Sequence, residues 1–148
     1  MKHIAQTLLE VIETARPRLL SIDSAAAASK TAPEKWSFKE ILGHLIDSAA
    51  NNHQRFVRAQ LDITDLSAYR YEQDRWVNVQ QYRQAEWQSL ISLWYYYNRH
   101  LAHVIGSIDR ENAERQVAAF EEASTLRFVA EDYVRHLNHH LTQIFQST

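Results

Sequence analysis

Glycine and proline are scarce in this chain, each occurring only twice in 148 residues. Sheet proteins use these residues in their many tight turns, so this low content favours helices. Hydrophobic residues make up 45% of the chain, which is enough to build a core, and the length is that of one domain. We therefore expect an all-α protein in which residues 1–148 form a single helical domain.

Apolar residues at helical spacing predict the first two long helices. The first runs from Lys2 into the low twenties. Pro17 lies within it and should kink or end it, because proline has no amide hydrogen and clashes with the preceding turn. A connector of small residues (24–35) follows. The second helix begins at a capping box, in which Ser37 and Glu40 satisfy amide groups that the first turn leaves unpaired.

The same periodicity predicts two more long helices. The third begins at a second cap-like sequence, at Asn78, and continues to about Ile108. The last begins near Thr125, which is a favourable N-cap residue. Polar joins (61–77 and 109–124) connect the helices. Four long helices in one domain predict an antiparallel four-helix bundle, in which metal sites are built from side chains on facing helices.

The longer join, 61–77, is irregular and carries two aromatic residues, Tyr71 and Trp76. Joins of this length in a compact domain often cover a binding site. The two rings would then line a pocket. The alternative is that they only attach the join to the bundle, and the sequence leaves both interpretations open.

The last predicted helix carries imidazoles on its apolar face. His136 and His140 lie about 40° apart around the helix, whereas His139 points about 100° away. Apolar faces normally exclude histidine, because a buried imidazole without a partner loses its hydration. Two histidines four residues apart can instead bind one divalent ion. The alternative is a pair of core histidines bonded to backbone or water, since chains with eight histidines often contain this spacing by chance.

A third ligand has to come from another helix, and His44 is the best candidate. It lies at the edge of the apolar face of the second predicted helix, where it could face a cavity between helices. The alternative is a solvent-exposed histidine. Three protein ligands would leave coordination positions open for water or substrate. Ligation by nitrogen alone favours zinc or nickel.

Five polar residues near these histidines are candidates for a second shell or a pocket. Asp47, Asn51, Tyr133 and Gln143 flank the proposed ligands and could fix the imidazole tautomers, or they could be ordinary helix surface. Asn98 lies on the core face of the third predicted helix. It is either a satisfied core amide or a functional group. No residue is assigned a catalytic role from the sequence.

Several functional classes conflict with the composition. The chain has no cysteine, so disulfides, thiolate ligands and cysteine nucleophiles are excluded. Its formal net charge of −2 argues against broad nucleic-acid binding. No apolar run has the length of a membrane span, and the N-terminus does not resemble a signal peptide. We therefore expect a cytoplasmic protein that binds neither nucleic acid nor membrane.

Two segments, Trp36–Leu45 and His136–Ile144, together resemble the DinB/YfiT-like metalloenzyme family. The family pattern has a tryptophan and a capped helix leading to one histidine, and a late H-x-x-x-H helix ending in Gln-Ile. The resemblance extends over nearly the whole chain. It implies a four-helix bundle, often a homodimer, with a divalent ion held by the residues that match here, His44, His136 and His140. Some members are thiol S-transferases that use bacillithiol, mycothiol or glutathione.

The expected function is a metal-dependent transfer of a low-molecular-weight thiol to a small electrophile. The chain has no cysteine, so a sulfur nucleophile would have to be a substrate. No carboxylate is evident on the apolar faces of the second and last predicted helices, and a metal ion can deprotonate a thiol without a strong base. The alternatives are a metal-dependent hydrolase and a non-catalytic, stress-associated metal-binding domain. Surplus apolar residues on the first and third helices also favour a homodimer.

Overall fold

The computed structural model describes residues 1–67, 71–119 and 122–146. The protein is a four-helix bundle, as the sequence predicted, with short elements in the joins. In chain order the elements are α1 (Lys2–Leu20), α2 (Ser24–Ala28), α3 (Phe38–Ala59), α4 (Gln73–Gln80), a 3₁₀ turn (Tyr82–Gln84), α5 (Trp87–Ser107), α6 (Arg110–Ala113), β1 (Gln116–Val117), β2 (Ser124–Thr125) and α7 (Leu126–Gln146).

Three of the four long helices begin where the sequence placed them: α1 at Lys2, and α3 and α7 at their predicted caps. At the start of α3, the Ser37 amide donates to Glu40 Oε2 at 2.7 Å and the Glu40 amide donates to Ser37 Oγ at 3.3 Å. These bonds form the predicted capping box. At the start of α7, the Phe128 amide donates to Thr125 Oγ1 at 3.1 Å. Both starts were predictable because a cap is a contact between residues three apart in sequence.

The first helix and its connector differ slightly from the prediction. Pro17 lies inside α1, which ends three residues later at Leu20. The predicted connector contains the short helix α2, whose first amides donate to the side chain of Asp23. The alanines of α2 are helical because the Asp23 side chain accepts hydrogen bonds from amides of the first turn.

The predicted start of the third helix at Asn78 is wrong. Asn78 lies inside the separate helix α4, which ends at Gln80 and is followed by Gln81, a residue in the left-handed conformation with φ of 54°. The 3₁₀ turn follows, and α5 begins only after Glu86, whose side chain accepts from the amides of Gln88 and Ser89. Capping patterns recur by chance in polar sequence, and here a reversal of the backbone at Gln81 separates the two helices.

The predicted connector 109–124 contains helix α6 and a strand. Strand β1 pairs antiparallel with β2, which directly precedes α7. The Ala118 amide also donates to the Thr64 carbonyl at 2.8 Å, and the Leu66 amide donates to the Ala118 carbonyl at 3.3 Å. This pairing attaches the beginning of the 61–77 join to the connector. Residues 68–70 of that join and 120–121 of the connector lie outside the described residues.

Each long helix packs against two others: α1 and α3 each contact both α5 and α7. The α1 and α5 helices are antiparallel, since Trp87 Nε1 donates to the Leu19 carbonyl while Tyr95 Oη donates to Glu13 Oε1. The largest fully buried side chains include Trp94, Phe56 and Tyr133. None of the helices in the described ranges is long and apolar enough to cross a membrane.

The α3 and α5 helices, in contrast, run parallel. Lys39 Nζ donates to the Ala85 carbonyl near the start of both helices, and His53 Nδ1 lies 3.2 Å from Tyr97 Oη further along both. The join between them must therefore travel back along α3, whose 22 residues span about 33 Å. On this return, α4 and the 3₁₀ turn pack against α3. The topology thus lays the long join over the N-terminal half of α3.

A glycine on α3 makes room for this return. The ring of Tyr82, in the 3₁₀ turn, lies so close to Gly43 that a Cβ atom there would be 2.2 Å from two ring carbons. Tyr82 is buried, and its hydroxyl donates to Asp47 Oδ1 at 2.7 Å, so the ring cannot move aside without breaking this bond. Position 43 therefore accepts only glycine in this packing.

We predict that Gly43→Ala lowers the free energy of unfolding by about 1–3 kcal/mol, because the added methyl displaces the Tyr82 ring. Gly106→Ala is the matched control, since a Cβ atom there would meet Ala5 Cβ at 3.4 Å, an ordinary contact. That variant should be neutral or stabilised by up to about 1 kcal/mol, the helix propensity gained. Urea denaturation measures both variants. Equal effects of the two substitutions would contradict the packing argument.

Candidate metal centre

Three imidazoles from two facing helices converge near the start of α3. His44 Nε2 lies 3.2 Å from His136 Nε2, and His136 Nε2 lies 3.1 Å from His140 Nε2. One nitrogen from each ring lies within 4.8 Å of the other two. His44 is fully buried and the α7 pair is half-buried. The structure thus brings together the three histidines singled out in the sequence, which we call the histidine triad.

The protonation state of the triad suits a cation. Burial, and then the neighbouring imidazoles, lower the pKa of His44 to about 3 and that of His136 to about 4. Burial also lowers the pKa of His140. The rings are therefore neutral near pH 7, and a neutral imidazole has a lone pair available for a metal ion.

The donor geometry also fits a metal ion. His140 Nδ1 lies 2.9 Å from Gln143 Oε1, which can only accept, so Nδ1 carries the proton and the Nε2 lone pair points at the triad. In a tetrahedral site with bonds of about 2.0–2.1 Å, two nitrogen ligands lie about 3.3–3.4 Å apart. The separations of 3.1 and 3.2 Å within the triad are close to this value. His139 is exposed and contacts Gln143 from outside.

Aromatic rings surround the triad. The Trp36 ring lies 5.1 Å from the His44 ring and 6.4 Å from the His140 ring, centroid to centroid. Tyr71, from the long join, lies 6.5 Å from His44 and is itself 4.8 Å from Trp76. The return of the join along α3 therefore places Tyr71 next to the triad, with Trp76 behind it. The His44 Nδ1 atom has no hydrogen-bond partner among the described residues, so ring packing orients this imidazole.

Asp47 lies one turn beyond His44 on α3 and is 3% exposed. Its Oδ1 accepts from Tyr82 Oη and from Gln80 Nε2, both at 2.7 Å. Its Oδ2 is buried without a partner among the described residues. Burial raises the pKa of this carboxyl, although the two hydrogen bonds oppose the shift. The expectation that no carboxylate lies on the buried face of the second predicted helix is therefore wrong.

The other proposed neighbours of the triad form hydrogen bonds mainly within the helical bundle. Asn51 Nδ2 donates to the Asp47 carbonyl at 2.9 Å. Asn98 Nδ2 donates to the Trp94 carbonyl at 2.8 Å, and its Oδ1 accepts from Tyr133 Oη. Asn98 is thus a satisfied core amide. Of the five candidates, Gln143 is the residue whose described contacts include an imidazole of the triad.

Four long helices with three converging imidazoles define a helical-bundle protein with a candidate site for a divalent cation. The sequence profile of the DinB superfamily matches residues 7–144. The chain therefore belongs to the DinB superfamily, which confirms the resemblance found in the sequence. No curated protein matches the sequence significantly.

A similar solved structure is that of YfiT from Bacillus subtilis, described as a probable metal-dependent hydrolase with an unusual four-helix bundle topology. The TM-score is 0.84, with 97% of this chain and 83% of the YfiT chain covered. The two sequences are 20% identical, so the likeness shows the fold. It supports the bundle described above. The chemistry of this protein has to be inferred from its own side chains.

Three contact residues of this region were not identified from the sequence: Trp36 beside the triad, and Gln80 and Tyr82 beside Asp47. Trp36 immediately precedes the capping box of α3, the helix that carries His44. This position in the sequence could have indicated that its ring lies near His44. Gln80 and Tyr82 bond Asp47 across more than thirty residues. No local pattern could reveal these two bonds, since they depend on how the long join returns along α3.

The raised pKa of Asp47 has a measurable consequence. The folded protein binds this proton more tightly than the unfolded chain does, so the stability contributed by Asp47 rises as the pH falls from neutral towards 3.8, the ordinary pKa. We predict that wild-type protein gains stability relative to Asp47→Asn over this pH range. Urea denaturation of both proteins at several pH values measures the difference. A difference that does not change with pH would contradict the prediction.

Proposed function

We propose that this protein binds one divalent ion through His44, His136 and His140 and uses it to activate a small nucleophile. The observation that carries the proposal is the convergence of three neutral Nε2 atoms from facing helices. Three nitrogen ligands do not complete a tetrahedral shell, so a position stays open for water or substrate. The ligand set favours zinc or nickel.

We propose water as the first nucleophile to test, and hydrolysis as the reaction. A divalent ion at this site would lower the pKa of a water molecule or a thiol bound to it. The sequence favoured a thiol because no carboxylate was evident, and Asp47 removes that argument. Its Oδ2 has no partner among the described residues, and its raised pKa makes it a suitable proton acceptor. YfiT, a structural relative, is described as a probable metal-dependent hydrolase.

The other residues around the triad orient the ligands and restrict water. Gln143 accepts the Nδ1 proton of His140, which fixes the tautomer of this ligand. The rings of Trp36 and Tyr71 lie beside the His44 imidazole and limit access of bulk water. Tyr82 and Gln80 hold the Asp47 carboxylate through Oδ1 and so leave Oδ2 as its second acceptor.

We predict about one zinc or nickel ion per chain in protein purified without a histidine tag, measured by elemental analysis. His44→Ala, His136→Ala and His140→Ala should each lose most of the metal. His139→Ala is the matched control on the same helix and should keep it. Gln143→Leu should weaken metal binding at least about tenfold, because His140 loses its orienting acceptor. Full metal content in the three ligand variants would refute the assignment.

We predict that the metal-loaded protein hydrolyses activated esters such as 4-nitrophenyl acetate. His44→Ala should abolish the rate, and Asp47→Asn should reduce it about 100-fold, as for loss of a general base. Thiol transfer is the alternative, with glutathione, bacillithiol, mycothiol or coenzyme A and 1-chloro-2,4-dinitrobenzene. It should not require Asp47, because the metal itself lowers the pKa of a bound thiol. Metal-dependent thiol transfer without hydrolysis would identify the protein as a transferase. If neither reaction is detected, the non-catalytic metal-binding domain is the alternative that stands.

The remaining expectations from the sequence stay predictions. A homodimer is one of them, and Leu93 and Tyr96 of α5 do expose apolar surface. The cytoplasmic location, the small-molecule substrate and the absence of nucleic-acid and membrane partners are others.

A further inference from the structure

A cavity on helix α4 has no role in the function proposed so far. Its volume is about 560 Å³. The described residues that line it occupy one face of α4 and the position before it: Glu72, Arg75, Trp76, Val79 and Gln80. Trp76 is 42% exposed and Val79 is 80% exposed. Exposed apolar side chains of this size that line a cavity indicate a binding surface.

Two residues that line this cavity have contacts that lead towards the histidine triad. Trp76 lies 4.8 Å from the Tyr71 ring, and Tyr71 lies 6.5 Å from the His44 ring. On the other side, Gln80 Nε2 donates to Asp47 Oδ1 at 2.7 Å, and Asp47 is one helical turn from His44. The cavity is therefore linked to the surroundings of His44 through Tyr71 on one side and through Asp47 on the other.

The charges of the lining residues indicate what the cavity binds. Glu72 and Arg75 are its two charged residues among those described, and they pair with each other at 2.9 Å. Because the pair is neutral overall, it offers no net attraction to an anion or a cation. Trp76 and Val79 provide apolar contacts. The volume is in the range of about 300–1,000 Å³ that is typical of small-molecule sites.

We propose that the α4 cavity is a specificity site that binds an uncharged aromatic or branched aliphatic group of the substrate while the reacting group lies at the triad. This inference rests on the proposed function, since it assumes that the triad holds the reacting end. Substrates would then be small, neutral and apolar on one side. Charged nucleotides and polar sugars would not fit this description.

Hydroxamates test the proposal by binding rather than by activity, because their head group binds a metal ion that has open positions. The probes are acetohydroxamate, benzohydroxamate and 4-phenylbenzohydroxamate, titrated calorimetrically into the metal-loaded protein. We expect the larger of the two aryl probes to bind at least about tenfold tighter than acetohydroxamate, a difference of about 1.4 kcal/mol. Trp76→Ala and Val79→Ser should each reduce this gain and leave acetohydroxamate binding unchanged.

Tyr96→Ala is the matched control, because Tyr96 is an exposed aromatic residue on α5. It should retain the full gain. Equal affinities for the three probes, or a gain that survives both α4 substitutions, would overturn the specificity site while leaving the metal centre intact. Failure of acetohydroxamate to bind would instead overturn the open metal site. If Trp76→Ala converts a dimer to a monomer in sedimentation, the face is an interface between copies and the proposal is wrong.

Discussion

The hydroxyl of Tyr82 reaches Asp47 because Gly43, four residues earlier on α3, has no side chain. A Cβ atom at position 43 would lie 2.2 Å from the Tyr82 ring. This contact and the bond from Gln80 to Asp47 fix the long join against the first half of α3. The join must pass there, since α3 and α5 run parallel and the chain has to return along α3 before α5 can begin. The position of Tyr71 beside His44 depends on that return.

Two opposing effects act on the triad: the cost of burying its imidazoles and the gain from binding a metal ion. Burying neutral imidazoles costs their hydration, and the Nε2 atoms of His44 and His140 lie only 3.2 and 3.1 Å from that of His136. The lowered pKa values of His44 and His136 show that protonation does not relieve this arrangement near pH 7. In the proposed function a divalent ion would offset this cost, because the Nε2 lone pairs would become its ligands. The bond from His140 to Gln143 would fix the tautomer of one proposed ligand in advance.

Membership of the DinB superfamily and the likeness to YfiT account for the bundle. The chemistry must be argued from this chain's own side chains, since one bundle can host many reactions. Here the distinguishing groups are Asp47, buried one turn beyond His44 on α3, and the aromatic residues Trp36, Tyr71 and Trp76. The proposed proton transfer from water rests on the Asp47 carboxylate, whose Oδ2 has no partner among the described residues, and the proposed apolar substrate rests on the nearby aromatic side chains.

The sequence by itself determined the helical fold, the starts of α3 and α7, and the face of α7 that carries His136 and His140. These features arise from caps and periodicities within a few residues, which local chemistry specifies. The tertiary structure decided the separation of α4 from α5, the parallel course of α3 and α5, and the partners of Asp47. These depend on contacts between residues far apart in sequence. Whether a polar side chain on a predicted helix, such as Asp47, is exposed or buried becomes clear only when the residues packed against it are known.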